Sequence, residues 1–214
     1  MTTVQVETPD EWMQGWAKIY DHMLQLPNDQ VTQTNPSYPV ELFLHFSQGK
    51  GAGLKALELG CGGGDNVCTL AQQGFEVVGF DALDKAVELA NRRIQLLDLE
   101  PTQAKVELGT MEDYPITEGE YDVIIAVQSL QYLFDKTLPK LRELVQAVKP
   151  GGWLIYQGNI LPHKPTEKPI RFVTPEELRE ELQGWEFHCF GTEELLLRPG
   201  DLRGYVRVVA RKPT

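Results

Sequence analysis

A glycine-rich turn between an apolar run and a helix-forming stretch is the feature that most constrains this fold. Residues 54–70 read LKALELGCGGGDNVCTL, where Leu57 and Leu59 end the apolar run and glycines occupy positions 60, 62, 63 and 64. A strand, a glycine turn and a helix N-terminus together bring backbone N–H groups close to a ligand. The sequence therefore predicts a small-ligand site at the end of a buried strand.

The charge around this turn indicates the kind of ligand. The spacing is G-x-G-x-G, and Asp65 stands where the dinucleotide fingerprint G-x-G-x-x-G has its third glycine. No Lys or Arg occurs between Leu57 and Gln73. A carboxylate in such a turn is a poor partner for a pyrophosphate and suits a ligand that carries positive charge. An NAD-dependent oxidoreductase stays open as an alternative that Asp65 disfavours.

Apolar runs alternate with helical patterns along the middle of the chain. Further strands are predicted at 75–80, 104–108, 121–127 and 153–157, and helices at 66–73, 83–97, 137–148 and 174–182. Residues 185–190 and 205–211 resemble the two strands of a terminal hairpin joined by 198–204. This order predicts an α/β fold, with a doubly wound, mostly parallel sheet, helices on both faces and a C-terminal antiparallel hairpin.

The parallel arrangement also predicts where ligands bind. The carboxyl ends of the strands form one rim of such a sheet, and ligands bind along it. We expect one domain over residues 1–214, with an N-terminal helical lid or cap segment (1–50), a ligand-binding core (54–157) and a substrate-side loop, helix and hairpin (158–214). Trp12, Trp16, Ile19 and Tyr20 recur at helical spacing, which fits either a packing helix or a lid over the site.

Composition excludes several classes of partner and compartment. A formal net charge of −11 argues against nucleic acid or an anionic membrane surface as the main partner. Three cysteines without a C-x-x-C pair, and the lack of a signal or membrane-spanning pattern, predict a cytoplasmic protein. No His, Cys or carboxylate cluster has metal-binding spacing, so no metal is expected. The expected partner is a small molecule, and the expected assembly is a monomer or a homodimer.

Asp81 is the acidic residue with the most informative position. It ends the second predicted strand and lies 19 positions after Gly62, near the offset at which an acid meets the ribose hydroxyls in nucleotide-binding folds. The alternative is a structural role as N-cap of the next helix. Position, pattern and offset together favour the ribose role.

Five segments, in order, resemble class I S-adenosylmethionine-dependent methyltransferases: E-L-G-C-G-G-G, V-V-G-F-D, G-T-M-E-D-Y-P, Y-D-V-I-I-A-V-Q-S-L-Q-Y-L and L-V-Q-A-V-K-P-G-G-W-L. They span residues 55–157. The C-terminal T-P-E-E-L-R-E-E-L-Q-G-W-E and V-V-A-R-K are similar, more loosely, to the tellurite-resistance type of small-molecule methyltransferase. The resemblance implies S-adenosylmethionine as the cofactor and methyl transfer as the activity.

The resemblance also implies roles for individual residues. It places the methionine part of the cofactor at the first turn, the ribose at the second strand end and the adenine beside the third. The implied cofactor-binding residues are Glu58, Gly60, Cys61, Gly62, Asp81, Ala82, Leu83, Met111, Glu112 and Val127. Many family members have Asp where this chain has Thr110, so contact with the adenine amino group would fall to Glu112, Asp113 or the backbone.

The acceptor side is predicted between the exit of the fourth strand, the N-terminal helix and the loop after residue 157. The candidate substrate-binding residues are Tyr20, Gln128, Tyr132, Asn159, His163, Arg171 and Arg198. Four of them have a plainer interpretation: a solvated loop position for His163, neutralisation of nearby Glu for Arg171, a turn position for Arg198 and core packing for Tyr132. Cys61 and Cys68 are expected to be packing residues, and no catalytic residue is assigned.

The sequence therefore predicts methyl transfer to a small-molecule acceptor by in-line displacement, with a soft sulfur, selenium or tellurium nucleophile as one candidate. Placement of an already activated sulfonium methyl supplies much of the rate, so a base is required only if the acceptor must lose a proton. A non-catalytic S-adenosylmethionine-binding domain is the first alternative. A methyltransferase acting on RNA or protein is less favoured, because the chain is acidic and lacks an N-P-P-Y or D-P-P-Y segment.

Overall fold

The computed structural model describes residues 9–160, 171–198 and 201–214. The helices in these ranges are α1 (Pro9–Leu24), α2 (Asn28–Val31), α3 (Tyr38–Ser47), α4 (Asp65–Gln72), α5 (Asp84–Leu96), α6 (Thr137–Ala147) and α7 (Pro175–Glu181). The strands are β1 (Lys55–Leu59), β2 (Glu76–Asp81), β3 (Ala104–Leu108), β4 (Tyr121–Val127), β5 (Val148–Asn159), β6 (Glu186–Arg198) and β7 (Asp201–Arg211). A 3₁₀ segment, Leu130–Lys136, precedes α6.

All seven strands join one sheet in the order β3-β2-β1-β4-β5-β7-β6. Strands β1 to β5 pair in parallel, and β7 pairs antiparallel with both β5 and β6. The predicted doubly wound, mostly parallel sheet with a C-terminal antiparallel hairpin is therefore confirmed. Because β1 has β2 on one side and β4 on the other, the connections leave in opposite directions and open a crevice at the ends of β1 and β4.

Apolar side chains bury both faces of the sheet. On one face, Leu141 and Leu144 of α6 and Leu178 of α7 pack against strand residues. On the other, α3, α4 and α5 contribute a second cluster, which includes Phe43 and Leu70. Strands that are covered on both sides need near-continuous apolar runs, which explains why β4 reads YDVIIAV.

Three boundaries differ from the sequence prediction. Residues 27–39, for which the sequence analysis gives no helix, contain α2 and the first turn of α3, which has a proline in that turn. The two hairpin strands are longer than predicted, and the connection between them is shorter than the predicted 198–204. Register shifts at Phe187/Cys189 and Leu196/Arg198 interrupt the alternation of inward and outward side chains from which strands are predicted. Strand β5 starts at Val148, ahead of the predicted Trp153, since Tyr121 already pairs with Val148 before another register shift.

None of the helices in the described part of the chain combines the length and the apolar character needed to cross a bilayer.

Candidate functional site

The glycine turn after β1 has a backbone that side chains would obstruct. Gly60 and Gly62 have φ of 64° and 54°, in the left-handed region that favours glycine. A Cβ on Gly62 would lie 2.5 Å from the hydroxyl oxygen of Tyr20, and one on Gly60 would lie 2.7 Å from Cβ of Ser129. The glycines therefore let Tyr20 and Ser129 pack closely on the turn, and Gly60 also lines the cleft described below.

Asp81, at the end of β2, contacts this turn directly. Its Oδ2 accepts a hydrogen bond from the backbone N–H of Gly62 at 2.9 Å, and its Oδ1 accepts one from that of Leu83 at 3.0 Å. Leu83 is the N-cap residue of α5, and no side chain caps it. The N-cap interpretation of Asp81 is therefore not what the structure shows. Each carboxylate oxygen has a second lone pair with which it can accept a further hydrogen bond.

Glu58 lies under the turn and is only 3% exposed. Its Oε1 accepts a hydrogen bond from Nδ2 of Asn66 at 2.6 Å, and Oδ1 of Asn66 accepts one from the backbone N–H of Ser37 at 2.7 Å. Glu58 Oε2 has no hydrogen-bond partner among the described residues. Burial raises the pKa of Glu58 to about 8, against the opposing effect of the Asn66 hydrogen bond.

Arg93 supports the glycine turn from below, and sequence reasoning did not single it out. It extends from α5 beneath the glycine turn, is 2% exposed, and donates to the backbone carbonyls of Val31 and Gly63. Its guanidinium also lies 2.9 Å from the carboxylate of Asp65. The local sequence shows no cation near Asp65, but the fold supplies one from 28 positions further along the chain. Asp65 is thus neutralised, and Asp81 remains the carboxylate that faces the cleft.

A cleft with an empty volume of about 910 Å³, including its open mouth, lies along the carboxyl ends of β1, β2, β3 and β4. Its lining is mainly apolar and aromatic, as in most small-molecule sites. The side chains and backbone that line it belong to Met13, Trp16, Tyr20, Gly60, Phe80, Asp81, Ala82, Leu83, Gly109, Met111, Val127, Gln128, Ser129, Tyr132 and Phe134.

The β2–β3 end of the cleft is flat and apolar. Leu83 and Met111 line it, and the ring of Phe80 stacks on Tyr114 with centroids 3.9 Å apart. Glu112 forms an ion pair with Lys136 at 2.7 Å, and Asp113 accepts a hydrogen bond from the Thr110 hydroxyl at 2.8 Å. Both carboxylates therefore already have partners outside the cleft.

Helix α1 closes the opposite side of the cleft. Met13, Trp16 and Tyr20 line it, and the rings of Trp16 and Tyr20 stack with centroids 6.2 Å apart. The indole Nε1–H of Trp16 donates to the hydroxyl of Tyr132 at 3.1 Å. Burial raises the pKa of both tyrosines, and for Tyr20 the charge of Asp81 adds to the effect. Both hydroxyls therefore stay protonated at neutral pH.

The exit of β4 brings Val127 and Gln128 to the middle of the cleft. The backbone N–H of Gln128 donates to the carbonyl of Gln157 at 2.7 Å. Oε1 and the backbone carbonyl oxygen of Gln128 both accept from Nε2 of Gln131, at 3.2 and 3.0 Å. Two candidate acceptor residues, Gln128 and Tyr132, thus share the cleft with Tyr20.

The other acceptor-side candidates lie elsewhere or outside the described residues. Asn159 ends β5 and pairs with Tyr205 of β7, and Arg171 forms an ion pair with Glu177 at the start of α7. Arg198 ends β6 at the hairpin, and His163 lies outside the described residues. The charge of Arg203, which sequence reasoning did not single out, lowers the pKa of Tyr132 against the larger effect of burial.

The cysteines behave as packing residues. Cys61 and Cys68 are buried, and burial raises the pKa of both thiols. A Cβ on Gly79 would lie 3.0 Å from Cys61, so strand β2 packs tightly on this side chain. Over the described ranges, no group of three or more His, Cys, Asp or Glu side chains is arranged to hold a metal ion.

Comparison with known proteins assigns this architecture to a class. Residues 56–152, somewhat under half of the chain, match a family described as a methyltransferase domain. A ubiquinone biosynthesis O-methyltransferase of Thiobacillus denitrificans is 30% identical over 131 residues, which cover 61% of this chain and 55% of that protein. The chain spans about half the length of the curated relatives it matches.

Solved structures share the fold. TehB from Haemophilus influenzae superposes with a TM-score of 0.68 and 21% identity, over 84% of this chain and 63% of that one. Magnesium protoporphyrin IX methyltransferase from Synechocystis, with S-adenosylhomocysteine bound, gives 0.61 and 18%, over 81% of each chain. Identities this low are evidence for the fold alone.

Residues 56–152 thus match a methyltransferase domain, in agreement with the predicted class, a class I S-adenosylmethionine-dependent methyltransferase. The expected cofactor, S-adenosylmethionine, is the one that this class of domain uses.

Proposed function

We propose that this protein transfers the methyl group of S-adenosylmethionine to a small-molecule acceptor that carries a soft sulfur, selenium or tellurium atom. The observation that carries the proposal is the composition of one cleft. At one end it has the glycine turn and the Asp81 carboxylate, and at the other it has aromatic side chains and no ionised base among the described residues.

The first half of the cleft fits the cofactor. Asp81 has lone pairs left for both ribose hydroxyls, and Leu83 and Met111 provide apolar surfaces for the two faces of an adenine. Backbone at Gly60, Cys61 and Gly62, with Glu58 below and Val127 opposite, would hold the methionine end. Because Glu112 pairs with Lys136, contact with the adenine amino group falls to backbone near Met111 in this proposal.

The acceptor half explains the choice of nucleophile. When bound, the cofactor supplies an activated methyl: the acceptor thiolate forms a carbon–sulfur bond while the sulfonium sulfur takes back the electron pair of the bond that breaks. Asp81 accepts two backbone hydrogen bonds, and the raised pKa of Tyr20 and Tyr132 keeps their hydroxyls protonated. A thiol, which ionises more readily than a hydroxyl, needs the least help from such a site.

Oxygen acceptors are the second candidate. They are favoured by relatives that are named as O-methyltransferases at 30–33% identity. A non-catalytic cofactor-binding domain is the third, since this cleft could hold the cofactor without turnover.

The test is to measure S-adenosylhomocysteine formed by purified protein from a panel of acceptors. The panel contains tellurite, selenite, small thiols, thiopurines, catechols, small carboxylates and amines, with bulk transfer RNA as the contrast. We expect turnover on thiols or other soft acceptors above that on catechols. Turnover on catechols alone would overturn the soft-acceptor proposal, and calorimetric binding of S-adenosylhomocysteine with no turnover would favour the non-catalytic alternative.

A further inference from the structure

Gln128 has a backbone conformation that is unusual for its place in the fold. Its φ of 57° lies in the left-handed region, as do those of Gln48, Asp98 and Phe134 among the non-glycine residues described. Gln48 and Asp98 follow the ends of helices, where such angles are common. Gln128 instead follows a strand and lines the cleft, where unusual backbone angles often accompany function.

The side-chain amide of Gln128 has a fixed direction. Nε2 of Gln131 donates both to the backbone carbonyl of Gln128 and to its Oε1, and Gln131 is only 4% exposed. Because a carbonyl acceptor can only be met by a donor, these two bonds also determine the orientation of the Gln131 amide. Oε1 of Gln128 therefore faces Gln131, and its amino group is the part of the amide that these bonds leave unused.

That amino group lacks a hydrogen-bond partner among the described residues. Nε2 of Gln128 is shielded from solvent and makes no hydrogen bond there. An unsatisfied buried donor lowers the stability of the fold, and a ligand that brings an acceptor atom recovers that loss. Gln128 lines the same cleft as Trp16, Tyr20 and Tyr132, so such a ligand would have an apolar or aromatic body against these rings.

We propose that the Gln128 amino group donates a hydrogen bond to an oxygen of the methyl acceptor, and so selects molecules with an oxygen close to the soft atom that receives the methyl. The inference rests on the proposed function and specifies its substrate class: flat, apolar thiols with a neighbouring hydrogen-bond-accepting oxygen. Gln128 acts in it as a specificity residue, because a neutral amide neither removes a proton nor stabilises the sulfonium.

Two isomeric probes test this class. In 2-mercaptobenzoate the carboxylate neighbours the thiol, and in 4-mercaptobenzoate the same charge lies across the ring. Turnover of each is measured as S-adenosylhomocysteine formed, and the ratio of kcat/KM for the two isomers is compared between variants. We expect the wild type to prefer the 2-isomer. Gln128→Met, which has a similar shape and no donor, should lower the ratio about five- to tenfold, as for one lost hydrogen bond.

Gln128→Glu sharpens the test, since it retains an oxygen for Gln131 to donate to but replaces the amino group with a negative oxygen. It should lower the ratio further by repelling the 2-carboxylate. The matched controls are Gln48→Met and Gln48→Glu, because Gln48 is an exposed glutamine with the same φ of 57° that does not line the cleft. Both control variants should have the wild-type ratio.

Calorimetric titration with S-adenosylhomocysteine separates the possible failures. The Gln128 variants should bind it within about twofold of wild type, and a tenfold loss would mean that Gln128 contacts the cofactor, which overturns the inference. An unchanged isomer ratio in Gln128→Met also overturns the inference. It is overturned as well if neither isomer binds or is turned over when the cofactor site is saturated.

Failure of the proposed function has a different result, namely no turnover of any member of the acceptor panel.

Discussion

The indole N–H of Trp16 donates a hydrogen bond to the hydroxyl of Tyr132 at 3.1 Å, across 116 positions of sequence. One residue belongs to α1 and the other to the 3₁₀ segment after β4. The bond therefore joins the helix that covers the cleft to the strand end that forms its middle. Helix α1 and the segment after β4 are therefore tied to each other directly across the cleft.

A double-mutant cycle measures this connection. Trp16→Phe and Tyr132→Phe each remove one partner and retain an aromatic ring, and the free energy of unfolding of both single variants and the double variant is measured in urea. We expect a coupling of about 0.5–1.5 kcal/mol, the net value of a hydrogen bond. Strictly additive losses would mean that the contact contributes nothing to stability.

Asp81 should control cofactor affinity. Asp81→Asn retains the size of the side chain but exchanges one accepting oxygen for an amino group, so it loses either the Gly62 or the Leu83 hydrogen bond and a ribose contact. We expect binding of S-adenosylhomocysteine to weaken by about 1–3 kcal/mol in calorimetry. The matched control is Asp84→Asn, because Asp84 is exposed in the first turn of α5. Equal affinity in both variants would mean that the ribose is held elsewhere.

Glu58 should make stability depend on pH. Its folded pKa of about 8 exceeds the value of about 4.5 expected of an unfolded chain, so the folded state holds a proton that the unfolded state releases between these values. The contribution of Glu58 to the free energy of unfolding is therefore full below about pH 4.5 and is lost as the pH rises to about 8.

Glu58→Gln removes this titration and retains an oxygen for Asn66. Relative to wild type, the variant should gain about 1–3 kcal/mol of unfolding free energy between pH 5 and pH 8.5, measured in urea. Glu76→Gln is the matched control, since Glu76 is exposed on β2 and should show no such gain. A parallel pH dependence in wild type and Glu58→Gln would contradict the prediction.

Arg93 and Arg92 offer a matched pair on α5. Arg93→Met leaves Asp65 without its ion-pair partner and leaves two backbone carbonyls without a donor. We expect a loss of about 3–5 kcal/mol of unfolding free energy, as for one removed partner of a buried pair. Arg92 donates to the carbonyls of Leu24 and Leu26 from a more exposed position. Arg92→Met should therefore lower the free energy of unfolding by roughly 1–2 kcal/mol. Equal losses in the two variants would show that the burial of Arg93 adds nothing to its contribution to stability.

Much of the fold could be predicted because its signals are local. The parallel strands are continuous apolar runs, and the glycine turn lies at the end of the first of them. The boundaries of α4 and α5 in the structure lie within a residue of those predicted. The resemblance to methyltransferases rests on motifs of the same local kind, and the position of Asp81 at a strand end could be predicted in the same way, while its ribose role stays a prediction.

What sequence reasoning missed depends on contacts between distant segments. Nothing near Asp65 in sequence reveals that Arg93 neutralises it, because the two meet only when α5 packs on the glycine turn. The length of β6 and β7 is decided by their pairing with each other and with β5, which local alternation does not encode. The roles of Glu58, Met111 and the acceptor-side residues stay predictions, and the experiments above test Glu58, Asp81 and Gln128.

The reversal of strand order between β1 and β4 has an evolutionary consequence. Strands β3, β2 and β1, with Val127 at the end of β4, carry the groups proposed for the cofactor, while α1 and the segment after β4 line the remainder of the cleft. If the proposed function holds, a mutation in the segment after β4 changes which molecule is methylated and leaves the Asp81 side unchanged. Such a division lets a lineage exchange one acceptor for another in small steps, without passing through an ancestor that has lost its methyl donor.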